Sequence, residues 1–289
     1  MSIYFEQFAH QTDFKTSENW VVLSPIEKQI KEKIEAIGTP LKEWDININY
    51  GIKTGFNEAF IITGKRRKEL IDEDPKSDEI IRPILRGRDI KRYSYDFADL
   101  WIINTHNGIK EKGLKRIEIG DYPAIKNHLE QFLPQLKKRA DKGGTPYNLR
   151  NCAYMEDFYK QKMVWKRVGS ILRFSYDETG ALALDSTCFA TGHHIKYLVT
   201  VLNSRFGKYL MKDSPKTGTG DLLISVQAIE PLQIAIPTKE GLVEIEMLFE
   251  NIFSTNQIEL ILQLESRINS IIYRLYDFNQ EEIQFIELQ

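Results

Sequence analysis

The chain reads as an α+β fold: a twisted, mostly antiparallel sheet flanked by helices, with a C-terminal helical segment. Three observations predict this. Apolar runs of strand length, alternating or continuous, occur at residues 44–50, 99–104, 162–168, 172–176, 181–184 and 188–190. Longer runs with apolar residues three and four apart lie between them. After residue 238 only the helical period is present.

Taken in order, residues 1–24 are polar and aromatic without periodicity and read as a tail or linker. Ser24-Pro25-Ile26-Glu27 is a capping box with proline at the first helical position. Ile26, Ile30, Ile34 and Ile37 form one stripe, and Gly38 with Pro40 ends that helix. Residues 44–50 alternate as a half-buried strand, and Gly51 and Gly55 bracket a turn into a second strand expected near 58–63. A short basic helix is expected over 65–71 and a loop over 72–76. The Leu100-Trp101-Ile102-Ile103 run makes 99–104 a buried strand. The clearest middle helix is 122–140, opened by Pro123 and kinked or shortened by Pro134. Turns at Gly169-Ser170 and 177–180 separate the later strands, and alternation puts Trp165 in the core and Lys166 outside it. A helix over 194–211, a Gly/Thr/Lys loop over 212–221 and a strand over 232–236 follow. The tail holds helices over 241–253 and 256–276, and Asn279 with Glu282 caps a last turn. The composition shift near residue 238 divides the chain into a tail (1–24), a body (25–238) and a C-terminal helical segment (239–289).

At 289 residues the chain can bury a sizeable core as one or two domains. No apolar run approaches the roughly 20 residues that span a bilayer, and the N-terminus lacks a basic stretch followed by an apolar one. Cys152 and Cys188 are far apart and outside any CxxC pattern, so a reducing cytoplasm is the expected location. The formal net charge of −2 hides a strong asymmetry. Residues 239–289 hold three basic side chains against ten acidic ones, whereas residues 137–173 hold ten basic against three acidic. A basic segment of this kind is the electrostatic footprint of a polyanion partner.

Two stretches place cationic and amide side chains on tightly turning backbone: Gly51-Ile52-Lys53-Thr54-Gly55-Phe56-Asn57-Glu58-Ala59-Phe60 and Arg82-Pro83-Ile84-Leu85-Arg86-Gly87-Arg88-Asp89-Ile90-Lys91-Arg92-Tyr93. Tyr122-Pro123-Ala124-Ile125, Tyr147-Asn148-Leu149-Arg150, Leu202-Asn203-Ser204-Arg205 and Ile268-Asn269-Ser270 follow in order. This ordered set resembles the TaqI-like specificity domain, the target-recognition module of type IIG restriction–modification enzymes and N6-adenine DNA methyltransferases. The resemblance spans residues 41–288. It implies a chain that docks double-stranded DNA, reads a short sequence and presents an adenine to a methyltransferase domain or subunit of the same enzyme. S-adenosylmethionine, and Mg if a nuclease is present, would then belong to the catalytic domains, with no cofactor in this chain.

The sequence itself offers little catalytic chemistry. The Asn-Pro-Pro-Tyr tetrapeptide of an amino-methyltransferase is missing, since no two of the ten prolines are adjacent. The phosphate-loop pattern GxxxxGK[ST] is missing too. His10, His106, His128, His193 and His194 lack metal-ligand spacing, so no metal site is expected. Two other classes stay open: an enzyme whose active site the sequence does not display, and a protein-interaction module whose basic residues are scattered.

The binding candidates fall into five groups. Lys53, Thr54 and Asn57 lie beside glycines, where backbone can approach a phosphate. Arg82, Arg86, Arg88, Lys91 and Arg92 suit phosphate clamping or guanine recognition, with internal salt bridges to Asp89 or Asp96 as the alternative for one or two of them. Lys142, Tyr147, Asn148 and Arg150 occupy a glycine-hinged loop suited to reading bases, with Asn148 directed to adenine and Arg150 to guanine. Lys166, Arg167 and Arg173 sit on the strands behind it. Lys216 and Thr217 belong to a Gly/Thr loop that reads equally as a phosphate cradle or as plain surface.

Overall fold

The computed structural model describes residues 23–289, so the expected N-terminal tail, except for its last two residues, and His10 lie outside the described residues. In chain order these form α1 (Pro25–Ile37), β1 (Thr39–Pro40), β2 (Ile46–Tyr50), α2 (Asn57–Phe60), β3 (Ile61–Thr63), α3 (Gly64–Glu73), β4 (Ile81–Leu85), β5 (Leu100–Ile103), α4 (Pro123–Glu130) and α5 (Leu133–Lys138). There follow β6 (Lys162–Lys166), β7 (Val168–Gly169), β8 (Phe174–Asp177), β9 (Leu182–Ala183), β10 (Thr187–Gly192), α6 (Ile195–Asn203) and α7 (Arg205–Leu210). The chain closes with β11 (Leu222–Leu223), α8 (Val226–Ile229), β12 (Gln233–Ile234), α9 (Lys239–Phe253), α10 (Ile258–Leu275) and α11 (Gln280–Glu287). The fold is α+β with a C-terminal helical segment.

An antiparallel sheet ordered β2-β10-β6-β8 divides the apolar interior in two. Because side chains alternate across a strand, Met163, Trp165, Phe174, Tyr176, Cys188 and Ala190 face a core shared with α1, α6 and the C-terminal helices. Val164 and Phe189 face the other core, built on the sheet β3-β5-β4-β9. That second sheet is mixed, because β9 runs parallel to β4. With both faces covered, β6 buries four of its five residues and only Lys166, at its end, is exposed.

Lys162 is fully buried and could not remain charged alone. Its ammonium is paired with Asp177 across the β6–β8 register and donates to the Phe158 carbonyl at 2.6 Å. Asp177 also accepts from the Tyr95 hydroxyl at 2.8 Å and the Thr179 hydroxyl at 2.7 Å. Burial by itself would raise the Asp177 carboxyl; the Lys162 ammonium and the hydroxyl donors reverse this and hold it below its ordinary value.

Several expectations change in detail. The strand expected near 58–63 begins as the helical turn Asn57–Phe60 and is extended only at Ile61–Thr63. The middle helix is two helices separated at Gln131-Phe132, since Pro134 has no N–H for the preceding turn. The 194–211 helix breaks at Ser204, whose hydroxyl caps α7 by accepting from the Gly207 N–H at 3.1 Å. Both capping boxes, Ser24/Glu27 and Asn279/Glu282, are present.

Three of the tail's ten acidic side chains pair with cations of the body among the described residues. Glu250 pairs with Lys196, Glu265 with Arg92 at 2.7 Å and Glu282 with Lys33 at 2.7 Å. Ile245, Leu248, Phe249, Ile252, Ile268 and Ile272 fill the helix-side core. The apolar stripe expected along α10 is buried only in its second half; Ile258 and Leu262 in its first turns face solvent.

Removing one partner of a buried pair strands the other charge and costs about 3–5 kcal/mol. Lys162→Met should therefore lower unfolding stability by that amount in urea denaturation, and Lys162→Met/Asp177→Leu by less than the sum of the single changes. A Lys162→Met change within about 1 kcal/mol of the wild type would contradict this account.

Glu27 gives a second test. A hydrogen bond from Lys212, with the Ser24 backbone N–H, lowers its pKa from 4.5 to about 2. The resulting stability is present above the unfolded pKa and lost as pH falls toward the folded one. Thermal melts between pH 4.5 and about 2 should show a shallower loss of stability in Glu27→Gln than in wild type, and equal slopes would refute the linkage.

Candidate nucleic-acid interface

The first glycine-bearing turn follows β2. Gly51 packs against β9 so closely that a Cβ there would lie 2.0 Å from the Leu184 carbonyl oxygen. Thr54 is buried; its hydroxyl donates to Asn57 Oδ1 at 2.5 Å and accepts from the Phe56 N–H at 3.2 Å. These two residues shape the turn, and Thr54 has no route to a duplex. Lys53 projects outward and pairs with Asp141 at 2.6 Å.

The second motif supplies β4 and the turn after it. Arg82 donates to the carbonyls of Asp78, Glu79 and Ile81 at 2.7–2.8 Å, closing the turn that precedes the strand. Arg86 grips the buried Asp89 through Nε at 3.1 Å and Nη2 at 2.7 Å, while Asp89 also accepts the Arg86 N–H. Lys91 pairs with Asp96 at 3.0 Å. Arg92 spans to Glu265 and to the Asn203 carbonyl at 2.7 Å, tying the body to α10. Only Arg88 in this motif is exposed without an ion pair or hydrogen bond among the described residues. The phosphate-clamping role expected of Arg82, Arg86 and Arg92 is thus replaced by internal carbonyl and carboxylate contacts.

The loop expected to read bases is fastened from within. Asn148 is 1% exposed; its amide donates to the Ile117 carbonyl at 2.9 Å and its Oδ1 accepts from the Thr145 hydroxyl at 2.6 Å. It has no free edge for adenine, which corrects the expectation. Tyr147 reaches Glu130 at 3.5 Å, and Lys142 donates to the Lys137 carbonyl at 2.8 Å. Arg150 is exposed and shares Asp141 with Lys53, at 3.2 Å. Thr217 closes its own loop, its hydroxyl accepting the Asp221 N–H at 3.2 Å. Sequence reasoning missed the organising residue, Arg139. This buried guanidinium donates to the carbonyls of Thr54, Pro146 and Asn148 and stacks 4.6 Å from the Phe60 ring centroid. Burial lowers its pKa, with Asp141 opposing.

The register places the remaining cations together. Lys166 pairs with Thr187, Trp165 with Phe174 and Cys188 with Tyr50, so Lys166, Arg167, Arg173 and the turn after Tyr50 lie at one end of the central sheet. The Gly87 N–H donates to Ser186 Oγ at 3.0 Å, and a Cβ on Gly87 would meet Lys166 Cγ at 2.9 Å. Arg88 is thereby held beside the same end. The antiparallel β7–β11 pair brings Lys216, which bridges Leu222, to it as well. Among the described residues Arg88, Lys166, Arg167, Arg173 and Lys216 make no side-chain ion pair or hydrogen bond. Asp185, in the same turn region, Asp221, beside the Lys216–Leu222 bridge, and the shared Asp141 are carboxylates nearby.

A family model described as the TaqI-like C-terminal specificity domain matches residues 82–234. The chain belongs to this family. No curated protein matches it. Among solved structures, the type IIL restriction-modification enzyme MmeI in complex with DNA shares the fold, with a TM-score of 0.64, 12% identity, 87% of this chain and 36% of that chain covered. The type IIG restriction endonuclease BpuSI gives a TM-score of 0.49 at 14% identity, covering 88% of this chain and 34% of that one. The specificity domain thus spans about a third of the length of both. Among its described residues no helix is long and apolar enough to cross a membrane, and no group of three or more His, Cys, Asp or Glu could hold a metal ion.

Because Asn148 satisfies buried carbonyls rather than a ligand, Asn148→Ala should cost about 1–3 kcal/mol in chemical denaturation. The same variant should leave nucleic-acid preference unchanged in a binding-site selection. A shift in preferred base without loss of stability would restore it as a reader.

Proposed function

We propose that this specificity domain recognises double-stranded DNA for a restriction–modification enzyme, docking the duplex on the cationic end of its central sheet. The observation that carries the reading is the convergence of five cations without a partner among the described residues, Arg88, Lys166, Arg167, Arg173 and Lys216, on elements tied by the sheet register. Free cations can neutralise phosphates without first breaking an internal bond, and their fixed spacing sets the register of a duplex. The guanidinium groups of Arg88, Arg167 and Arg173 are also suited to bidentate contact with guanine. Lys53 and Arg150 flank this surface and can exchange Asp141 for phosphate. Family membership supports the specificity role.

On this reading methyl transfer, S-adenosylmethionine binding, any Mg-dependent cleavage and the choice of adenine belong to a methyltransferase domain or subunit working with this chain. The resemblance covers 87% of this chain but only 36% of the other, which supports such an arrangement.

If the five free cations each neutralise a phosphate, log affinity against log salt should have a slope of about −4 to −5. Arg88→Ala and Lys166→Ala should each make it shallower by about one. A slope indistinguishable from zero would sink the proposal, whereas loss of preference at one base pair in a single variant would mark that side chain as a reader.

A further inference from the structure

A cleft of about 650 Å³ opens between α7, α10 and the Ser170–Leu172 segment, apart from the free cations except for Lys216 at its edge. Its volume is in the range of small-molecule sites. The mouth is cationic: Arg205 has no side-chain partner among the described residues, whereas Lys212 is held by Glu27 at 2.6 Å and Lys208 by the Gln289 carbonyl. The walls are apolar, with Ile171 and Leu262 both 60% exposed where they line it.

The floor carries the more pointed signal. Tyr93 is 4% exposed; its hydroxyl lies against the Arg92–Glu265 pair, and neither it nor Glu265 Oε1 has a hydrogen-bond partner of good geometry among the described residues. A buried polar group left unpaired is costly, and native proteins rarely leave one without a use. Its backbone is left-handed (φ 67°), a conformation a tyrosine adopts only where the surroundings impose it. Here the Tyr93 N–H donates to the Phe174 carbonyl at 2.9 Å and its carbonyl accepts the Tyr176 N–H at 2.8 Å, fixing the ring at the cleft. Beside it, Asn269 uses its Oδ1 for the Arg205 N–H at 3.1 Å and leaves its amide donors free among the described residues.

We propose that this cleft binds a nucleotide: its phosphate on Arg205 and Lys216, its base between Ile171 and Leu262, and a base edge on the Tyr93 hydroxyl and Asn269 amide. A hydrocarbon ligand would use the walls but leave these polar groups unsatisfied. An inorganic anion would use the mouth alone. The nucleotide is either a unit of a DNA strand or free in solution, and Lys216 is the one cation the cleft shares with the proposed duplex-binding surface.

The test is calorimetric titration of the full chain with deoxyadenosine monophosphate and, separately, inorganic phosphate. Deoxyadenosine monophosphate should bind saturably at one site and more tightly than phosphate. Arg205→Glu and Leu262→Glu, both exposed positions, should weaken it about tenfold or more, as expected for losing a charge-assisted contact or an apolar wall. Tyr93→Phe should weaken the nucleotide while leaving phosphate unchanged. Displacement of the nucleotide by a short duplex would assign it to DNA; simultaneous binding of both would assign it to a free ligand. Absence of saturable nucleotide binding, or binding indifferent to Arg205→Glu and Leu262→Glu in folded variants, overturns the proposal. Saturable nucleotide binding tests this cleft and the salt slope of the wild-type chain tests the duplex reading, so failure of one and failure of the other are separate results.

Discussion

Burial of the central sheet on both faces is the constraint from which the rest follows. A strand inside two cores cannot present a polar side chain to water along its length. Such groups are paired internally, as Lys162 is by Asp177 and as the Ser175 hydroxyl is through its bond to the Lys91 carbonyl at 2.8 Å, with Thr191 Oγ1 on β10 an exception among the described residues. The sheet meets solvent chiefly at its ends. One end gathers Lys166, Arg167 and Arg173, and the second sheet delivers Arg88 to the same place through β4 and β9. The scaffold thereby converts short apolar strands into a fixed platform for charge.

Energetics separates the cations that can serve a ligand from those that cannot. Exposed ion pairs contribute only about 0–1 kcal/mol, so the Lys53–Asp141 and Arg150–Asp141 contacts can be exchanged for phosphate at small cost. Arg86 is different. Its carboxylate partner is 4% exposed and also holds the Arg86 backbone N–H, so releasing the guanidinium would dismantle the turn. Counting arginines therefore overstates the positive surface, since Arg82 and Arg86 are held by internal carbonyl and carboxylate contacts.

Arg139 shows how a cation can serve architecture without a carboxylate contact. It gives two guanidinium nitrogens to three carbonyls in two turns distant in sequence, and its flat face covers Phe60. Carbonyl acceptors and the aromatic ring compensate the loss of water that burial imposes. The two glycine-bearing segments are consequently one structural unit.

The starts of three helices were legible in local sequence, because Ser24/Glu27, Pro123 and Asn279/Glu282 act on backbone within one turn of themselves. The sequence by itself also determined the two-sided alternation that buries Trp165 and exposes Lys166, a property of strand geometry. It could not show that Asn57–Phe60 is helical, because four residues carry too little periodicity to oppose a strand reading. Nor could it rank the candidate cations. Arg92 meets Glu265, Lys53 meets Asp141 and Arg139 meets Thr54 across long stretches of chain. Which charges are spent inside the protein and which stand free was decided only by the tertiary fold, since pairing depends on distance in space and local sequence contains no measure of it.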